Sequence, residues 1–342
     1  MKENNVIIIA EAGVNHNGDI KLAKKLVDIA AESGADYVKF QTWITEDIVD
    51  YNAPKAEYQL LNDGEETNQF EMLKNLELSF IEFKEIKKHC ESQNIKFLST
   101  PDDETSLNFL CDELKMDLIK IGSGEINNIQ FLRKVAKKNL DVILSTGMSG
   151  LGEIEAALNE LLNNGAKSVS LLHCTSNYPA KLETVNLKAM HTMRNAFKTI
   201  VGYSDHTEGI SISIAAVALG AKIIEKHFTI DKNMKGPDHK ASMSPIELFE
   251  LVKEIRNVEK ALTGSGKKEM QQVEVETKKI VTKGLYLKQD ICQGEIIYET
   301  NIIAKRPLIG LSVKDIDMCV GKRINKNKNK GDFITLSDLY FD

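Results

Sequence analysis

The chain has 342 residues, of which 42% are hydrophobic and 27% charged, and its formal net charge is −6. This length and composition suffice for one large barrel, or a pair of domains, with a buried core. Charges of both signs are interspersed and no basic stripe is present, which argues against nucleic acid as a partner. A local group of lysines can still bind an anionic substrate in an acidic protein.

The cysteines are scattered, odd in number and without a C-x-x-C pair. This pattern argues against a disulfide framework or a zinc knuckle and favours a reducing cytoplasm. The first apolar run, residues 6–10, is too short for a signal sequence or a membrane span. We therefore predict a cytoplasmic protein with no membrane partner.

Short apolar runs recur along the chain, and amphipathic segments lie between most of them. The runs are residues 6–10, 37–40, 96–98, 118–121, 142–144, 169–172, 200–202 and 223–225. Helices are predicted at residues 20–33, 80–93, 129–138, 151–163, 210–220 and 245–262. This alternation predicts a parallel sheet, and eight repeats in about 240 residues is the count of a (β/α)8 TIM barrel. A doubly wound sheet is the rival, but no G-x-G-x-x-G or Walker A pattern follows any run.

The domain boundaries follow from changes in pattern. The connection between residues 42 and 80 is unusually long and includes a polar stretch at residues 52–59, on the face where barrel active sites form. The barrel is predicted to span residues 1–262, followed by a linker at residues 263–282. Residues 283–342 form a small β-rich module with strand-like pieces at residues 286–287, 295–297 and 333–336.

Charged and hydroxyl side chains follow the predicted strands, where a barrel brings strand ends to one mouth. Lys39 and Lys120 need an anion in such a place, and a phosphate or carboxylate substrate supplies one. Neutral donors are available from the hydroxyls of Thr100, Ser123, Ser145 and Ser204. Two alternatives remain, namely pairing of a lysine with Glu11 or Glu125, and a Schiff-base lysine.

His206 and His227 follow the seventh and eighth predicted strands. Neighbouring strands lie about 4.8 Å apart, so both imidazoles can reach one ion. Two histidines without a thiolate favour Mn²⁺, Co²⁺ or Mg²⁺ over structural zinc, although structural hydrogen bonding is the alternative role. Glu11, Glu125 and Asp238 are the candidate acid–base groups.

An ordered set of motifs resembles the sialic acid synthases, which include N-acetylneuraminate, legionaminate and pseudaminate synthases. The motifs lie at residues 11–18, 39–42, 120–125, 145–148, 203–207 and 225–229. The resemblance covers nearly the whole chain, and the segment from about Lys283 is similar to the family's antifreeze-protein-like (SAF) domain.

The resemblance implies a metal-dependent condensation of phosphoenolpyruvate with an N-acetylated sugar aldehyde, releasing phosphate by C–O cleavage. It implies metal ligation by His206 and His227, with Mn²⁺ as the first expectation, and proton handling or water activation by Glu11. Glu125 is retained as the second catalytic candidate because of its position after the fourth predicted strand. The implied phosphoenolpyruvate ligands are Lys39, Thr100, Lys120, Ser123, Ser145, Ser176 and Ser204. The implied sugar-side residues are Glu125, Tyr178, Asp238 and Arg306. Arg306 is expected to reach the partner's site in a domain-swapped homodimer.

Two departures from the family pattern stand out. Ser176 occupies a position where some members have asparagine, and residues 306–310 lack a glycine that many members carry. Residues 122–125 are more similar to neuraminate and legionaminate synthases than to pseudaminate synthases. The choice between N-acetylmannosamine and 2,4-diacetamido-2,4,6-trideoxymannose stays open. A pseudaminate-type synthase, a Schiff-base aldolase and a non-catalytic sugar-binding or antifreeze protein are the remaining alternatives.

Overall fold

The computed structural model describes residues 5–55 and 68–340. The chain divides into two compact units, Met1–Thr263 and Gly264–Asp342. Part of the polar stretch predicted at residues 52–59 lies outside the described residues.

The first unit contains the predicted eight parallel strands. They are β1 Ile7–Gly13, β2 Tyr37–Thr42, β3 Lys96–Pro101, β4 Leu118–Ile121, β5 Asp141–Ser145, β6 Ser168–Cys174, β7 Val201–Asp205 and β8 Ile223–His227. The hydrogen-bonded order is β3-β2-β1-β8-β7-β6-β5-β4. The two end strands, β3 and β4, lie side by side, although no strand ladder joins them within the described residues. The sheet is thus a nearly closed barrel, and the predicted TIM-barrel fold is confirmed.

Helices follow most strands. They are α1 Ile20–Ser33, α2 Thr45–Ile48, α3 Gln69–Leu76, α4 Phe80–Ser92, α5 Glu104–Asn108, α6 Ile129–Lys137, α7 Leu151–Asn163, α8 Ala189–Phe197, α9 Ser211–Ala218 and α10 Pro245–Ala261. The sequence pattern did not predict α2 and α3, which lie in the long connection after β2, nor α5 and α8. Helix α5 is too short to show a period and continues as a π-helical turn, Phe109–Glu113. Helix α8 buries only Met190 and Met193, which is too narrow a stripe to recognise.

The strands are apolar because they are buried on both faces, between the barrel interior and the helices. In β7 every residue is buried. Helix α1 shows how the outer layer forms, since Leu26 and Val27 are fully buried on its inner face. The Asp19 side chain caps its first turn, and Gly34 ends it in the left-handed region at φ 80°.

The long connection after β2 carries α2 and α3. A small apolar cluster of Val14, Trp43, Met72 and Leu76 packs beneath them. This cluster fixes the described part of the connection above the carboxyl end of β2.

The second unit has its own small core. Strands β9 Gly284–Leu287 and β10 Ile302–Lys305 pair antiparallel. The predicted strand at residues 286–287 is present, but residues 295–297 and 333–336 take part only in isolated bridges, because short turns interrupt the chain there. A helix, α11 Val275–Val281, lies within the segment predicted as a linker. No helix within the described residues is long and apolar enough to cross a membrane.

Candidate active site

Alternation along the strands places the site residues inside the barrel. On β8, Glu225 and His227 are two residues apart and share the interior face, while Lys226 between them faces outward. Lys226 forms a buried ion pair with Asp205, with 2.9 Å between Nζ and Oδ2. This ion pair joins β7 and β8 on the outside of the barrel. Glu225 and His227 point to the opposite face, toward the mouth of the barrel.

Lys39 lies in a buried group of polar side chains. Its Nζ is 2.9 Å from Oε2 of Glu11, on the neighbouring strand β1. The same Nζ donates a hydrogen bond to Oγ1 of Thr100, at 3.2 Å. The pairing with Glu11, which the sequence left as an alternative, is therefore present, and it holds the ammonium group in place.

Lys120 and Lys39 share a second carboxylate, Glu225. Oε1 of Glu225 is 3.5 Å from Nζ of Lys120 and 3.8 Å from Nζ of Lys39. Lys120 donates to Ser145 Oγ at 2.7 Å, and Ser204 donates to Glu225 Oε1 at 3.1 Å. Glu225 therefore joins the two lysines at the centre of the site.

Burial and pairing shift the pKa values of these groups. Burial raises the pKa of Glu11 to about 7, against the opposing charge of Lys39. Burial lowers the pKa of Lys39, but Glu11 and Glu225 outweigh it and the net pKa rises. Burial lowers the pKa of Lys120, whose nearest carboxylate is more distant. Burial disfavours the Glu225 carboxylate, yet both lysines hold its pKa below the usual range. Lys39 as a cation and Glu225 as a carboxylate thus persist at neutral pH.

His206 and His227 lie side by side at the mouth, with ring centroids 5.8 Å apart. The ring of Tyr178 lies 4.1 Å from His206 and meets His227 edge-on at 5.7 Å. Nδ1 of His206 bonds the carbonyl of Thr175 at 2.8 Å, which directs Nε2 into the site. Nδ1 of His227 lies 4.0 Å from Oδ2 of Asp238.

Both imidazoles fit the ligand role expected for a divalent metal. Burial lowers the pKa of His206 to about 4 and that of His227 well below its usual value, so both rings are neutral at pH 7. Nδ1 of His227 and Oε2 of Glu225 are buried without a hydrogen-bond partner among the described residues. A neutral, unpartnered imidazole nitrogen is a suitable metal ligand. Within residues 5–55 and 68–340, no group of three or more His, Cys, Asp or Glu forms a complete cage.

The hydroxyls of Ser123 and Ser176 lie at the ends of β4 and β6. Ser123 Oγ accepts a hydrogen bond from Gly147 N at 3.0 Å. A Cβ on Gly147 would lie 2.2 Å from Ser176 Oγ and 2.8 Å from Ser123 Oγ. Only glycine therefore allows both hydroxyls to approach this strand end, and Cys174 Sγ is also 3.3 Å from Ser123 Oγ.

Glu125 and Asp238 flank the site at its edge. Glu125 accepts a hydrogen bond from Asn128 Nδ2 at 2.7 Å. Burial raises the pKa of Asp238 to about 6. The predicted residues of the first unit thus surround one mouth, whereas Arg306 is an exposed residue of the second unit.

Sequence reasoning missed two carboxylates of this site, Glu225 and Asp102. Glu225 could have been recognised from the sequence, because it is a charged residue in an apolar strand and lies two positions before His227, on the same face. Asp102 directly follows β3, two residues after Thr100, and burial together with the charge of Glu125 raises its pKa to about 7. Its sequence neighbour Asp103 instead caps α5, accepting from Ser106 N at 2.7 Å.

Buried lysines, hydroxyls and neutral imidazoles at the carboxyl end of a TIM barrel define an enzyme site for an anionic substrate. The chain matches the NeuB family over residues 26–268 and the SAF domain over residues 282–339. It belongs to the NeuB family of sialic acid synthases, and the predicted SAF domain is confirmed.

Similar proteins are named as synthases. An N,N'-diacetyllegionaminic acid synthase of Campylobacter jejuni is 52% identical over 96% of this chain and 98% of that protein. A protein of the same name from Legionella pneumophila is 46% identical over 95% of this chain and 92% of its own length. The N-acetylneuraminic acid synthetase structure from Leptospira borgpetersenii is 38% identical, with a TM-score of 0.70, covering 80% of this chain and 90% of that one. The chain is therefore an enzyme of this synthase type, and the non-catalytic alternative is set aside.

Proposed function

We propose that the protein condenses phosphoenolpyruvate with the open-chain aldehyde of an N-acetylated amino sugar, giving a nonulosonic acid and inorganic phosphate. The expected sugar is 2,4-diacetamido-2,4,6-trideoxymannose, because two of the three similar proteins described above are named N,N'-diacetyllegionaminic acid synthases. N-acetylmannosamine is the alternative substrate.

One observation carries this proposal: Lys39 and Lys120 are buried together, and both approach the same carboxylate. A buried ammonium group is costly unless it meets an anion, and Glu11 with Glu225 supplies only part of what two lysines and their hydroxyl neighbours can bind. The phosphate and carboxylate of phosphoenolpyruvate match this arrangement. Thr100 and Ser145, which already bond the two lysines, add donors for the remaining oxygens.

The chemistry then follows from the groups around the bound enol ester. The methylene carbon of the enol ester forms a C–C bond with the aldehyde carbon, and the aldehyde oxygen takes a proton. Water adds to the neighbouring carbon that bears the phosphate oxygen, and phosphate leaves from that carbon with its bridging oxygen by C–O cleavage. Glu11, with a pKa near 7, can accept a proton from that water at neutral pH. Tyr178 and Asp238 lie beside the histidines, where the sugar chain enters.

We propose that His206 and His227 hold a divalent cation, with Mn²⁺ as the first expectation and Mg²⁺ or Co²⁺ as alternatives. When bound, such an ion supplies Lewis-acid polarisation of the aldehyde oxygen. The neutral state of both imidazoles supports this role.

We further propose a cytoplasmic homodimer in which Arg306 serves the site of the other copy. Support comes from the resemblance stated above and from the small core of the second unit, which gains from further packing. Arg306 is exposed within its own unit and is thus available for such a contact.

Phosphate release from phosphoenolpyruvate tests the function. Wild-type protein is assayed with Mn²⁺, each of the two sugars, and with or without EDTA. We expect EDTA-sensitive release that is faster with the diacetamido sugar. A preference for N-acetylmannosamine would change the substrate, and no release with either sugar would refute the proposal. Borohydride trapping with pyruvate is the control for a Schiff-base aldolase, and we expect no covalent adduct.

A further inference from the structure

Asp102 differs from Glu11, Glu225 and Glu125 at the barrel mouth because no side-chain partner of it is found among the described residues. No hydrogen bond or ion pair of its carboxylate with another residue of the described chain is found. Its main-chain N–H donates to Thr42 O at 3.1 Å, which fixes the backbone. Asp103, the next residue, shows the contrast, since it accepts from Ser106 N and Ile44 N at 2.7 and 2.8 Å.

The position of Asp102 places it within the site. It directly follows the last residue of β3, Pro101, and its main-chain bond to Thr42 holds it beside the end of β2, at the carboxyl end of the barrel. The titratable groups that act on it are Glu125, Lys39, Asp103 and Lys120. The carboxylate is thus at the junction between the lysine side of the site and Glu125.

A carboxylate at this position repels phosphoenolpyruvate, because both groups are negatively charged. It is favourable toward hydrogen-bond donors, and the hydroxyl and amide N–H groups of the sugar are the donors present in the reaction. A partly buried carboxylate without a partner carries a desolvation cost that such a donor offsets.

We infer that Asp102 is a sugar-binding residue whose carboxylate accepts a hydrogen bond from a hydroxyl or amide N–H of the acceptor sugar. This inference rests on the proposed function and adds to it a residue that determines sugar affinity. Because the pKa of Asp102 is raised to about 7, its role predicts a specific pH dependence. Sugar affinity should rise between about pH 6 and pH 8 as the carboxylate ionises.

The test is steady-state kinetics of phosphate release by Asp102→Asn and Asp102→Ser. We expect the KM for the sugar to rise about tenfold or more, and the KM for phosphoenolpyruvate to stay within about twofold. The part of the pH dependence of the sugar KM that is centred near pH 7 should be lost in both variants, while any part due to Asp238, near pH 6, should remain. Glu104→Gln is the matched control, because it removes a neighbouring exposed carboxylate whose partner among the described residues is the half-buried Lys134.

The kinetics distinguish failure of the proposed function from failure of the sugar-binding role of Asp102. If wild-type protein releases no phosphate with any of the sugars, the proposed function fails and this inference fails with it. If wild-type protein is active and both variants keep its sugar KM, only the inference is overturned. If neither variant folds, Asp102 has a structural role and the inference is also overturned. A folded variant with a raised sugar KM, but an unchanged phosphoenolpyruvate KM, supports it.

Discussion

Lys39 Nζ lies 2.9 Å from Oε2 of Glu11, and both side chains are almost fully excluded from solvent. The pair contains a strong cation and an acid whose pKa is raised to about 7, chiefly by burial. The same carboxylate can therefore hold Lys39 in place and exchange a proton during the reaction.

Glu11→Gln should lower kcat about 100-fold while leaving the KM for phosphoenolpyruvate within a few-fold, because the amide keeps the shape but cannot accept a proton. In wild-type protein the basic form increases through about pH 7, and the variant should lose that rise in kcat. Rate–pH profiles measure this. Glu85→Gln, which removes an exposed partner of Lys24, is the control. A variant with wild-type kcat would exclude Glu11 from proton transfer.

Glu225→Gln should destabilise the ligand-free protein by about 3 kcal/mol, because Lys39 and Lys120 lose their shared buried counter-charge. Added phosphoenolpyruvate should then raise the melting temperature of the variant more than that of wild-type protein, since the ligand replaces the missing negative charge. Thermal unfolding with and without the ligand measures both effects. Glu113→Gln, which breaks an exposed pair with Lys84, should change stability by less than about 1 kcal/mol. Equal ligand shifts in variant and wild type would contradict this account.

His206→Ala and His227→Ala should each reduce Mn²⁺ binding and condensation at least about 100-fold, because each removes one of two neutral imidazoles at the mouth. Metal content after dialysis and phosphate release are the two measurements. His191→Ala is the control, since His191 is exposed on α8 and its side chain bonds only Asn195 among the described residues. Full activity in both site variants would remove the metal from the mechanism.

Asp238→Asn should stabilise the metal-free protein by about 2 kcal/mol at pH 8 but have little effect near pH 4. Burial raises the folded-state pKa from 3.8 to about 6, so the folded state binds more protons than the unfolded state between these values. Stability from this group is therefore lost as the pH rises toward 6. Urea unfolding in EDTA at the two pH values tests the sign. Asp112→Asn, at an exposed carboxylate paired with Lys138, should show no such pH-dependent gain.

Mixing two variants tests the proposed exchange of Arg306. Arg306→Ala should raise the sugar KM without loss of folding, because the side chain is exposed within its unit. When Arg306→Ala and His206→Ala subunits are unfolded and refolded together, hybrid dimers should contain one intact site and regain activity at low sugar concentration. Light scattering gives the oligomeric state. Absence of complementation in a demonstrated dimer would place Arg306 at its own subunit's site or at none.

The barrel could be predicted from the sequence because each strand is buried on both faces, and its apolar run and polar carboxyl end are local features. The same local logic identified Lys39, Lys120, His206 and His227 as residues of one mouth. The five-residue helix α5 could not be found in this way because little more than a single turn shows no period. Its cap, Asp103, resembles its neighbour Asp102 in sequence, and only their hydrogen bonds separate a structural carboxylate from one without a partner.

The sequence by itself determined the order of strands and helices, the polar strand ends and the family resemblance, because each of these depends on residues that are close together in the chain. Tertiary structure alone decided which charges meet. Glu225 on β8 approaches Lys39 on β2 and Lys120 on β4 only because the sheet curls into a barrel. Their burial then sets the pKa values, since desolvation and the distance to an opposite charge depend on packing between segments far apart in the chain.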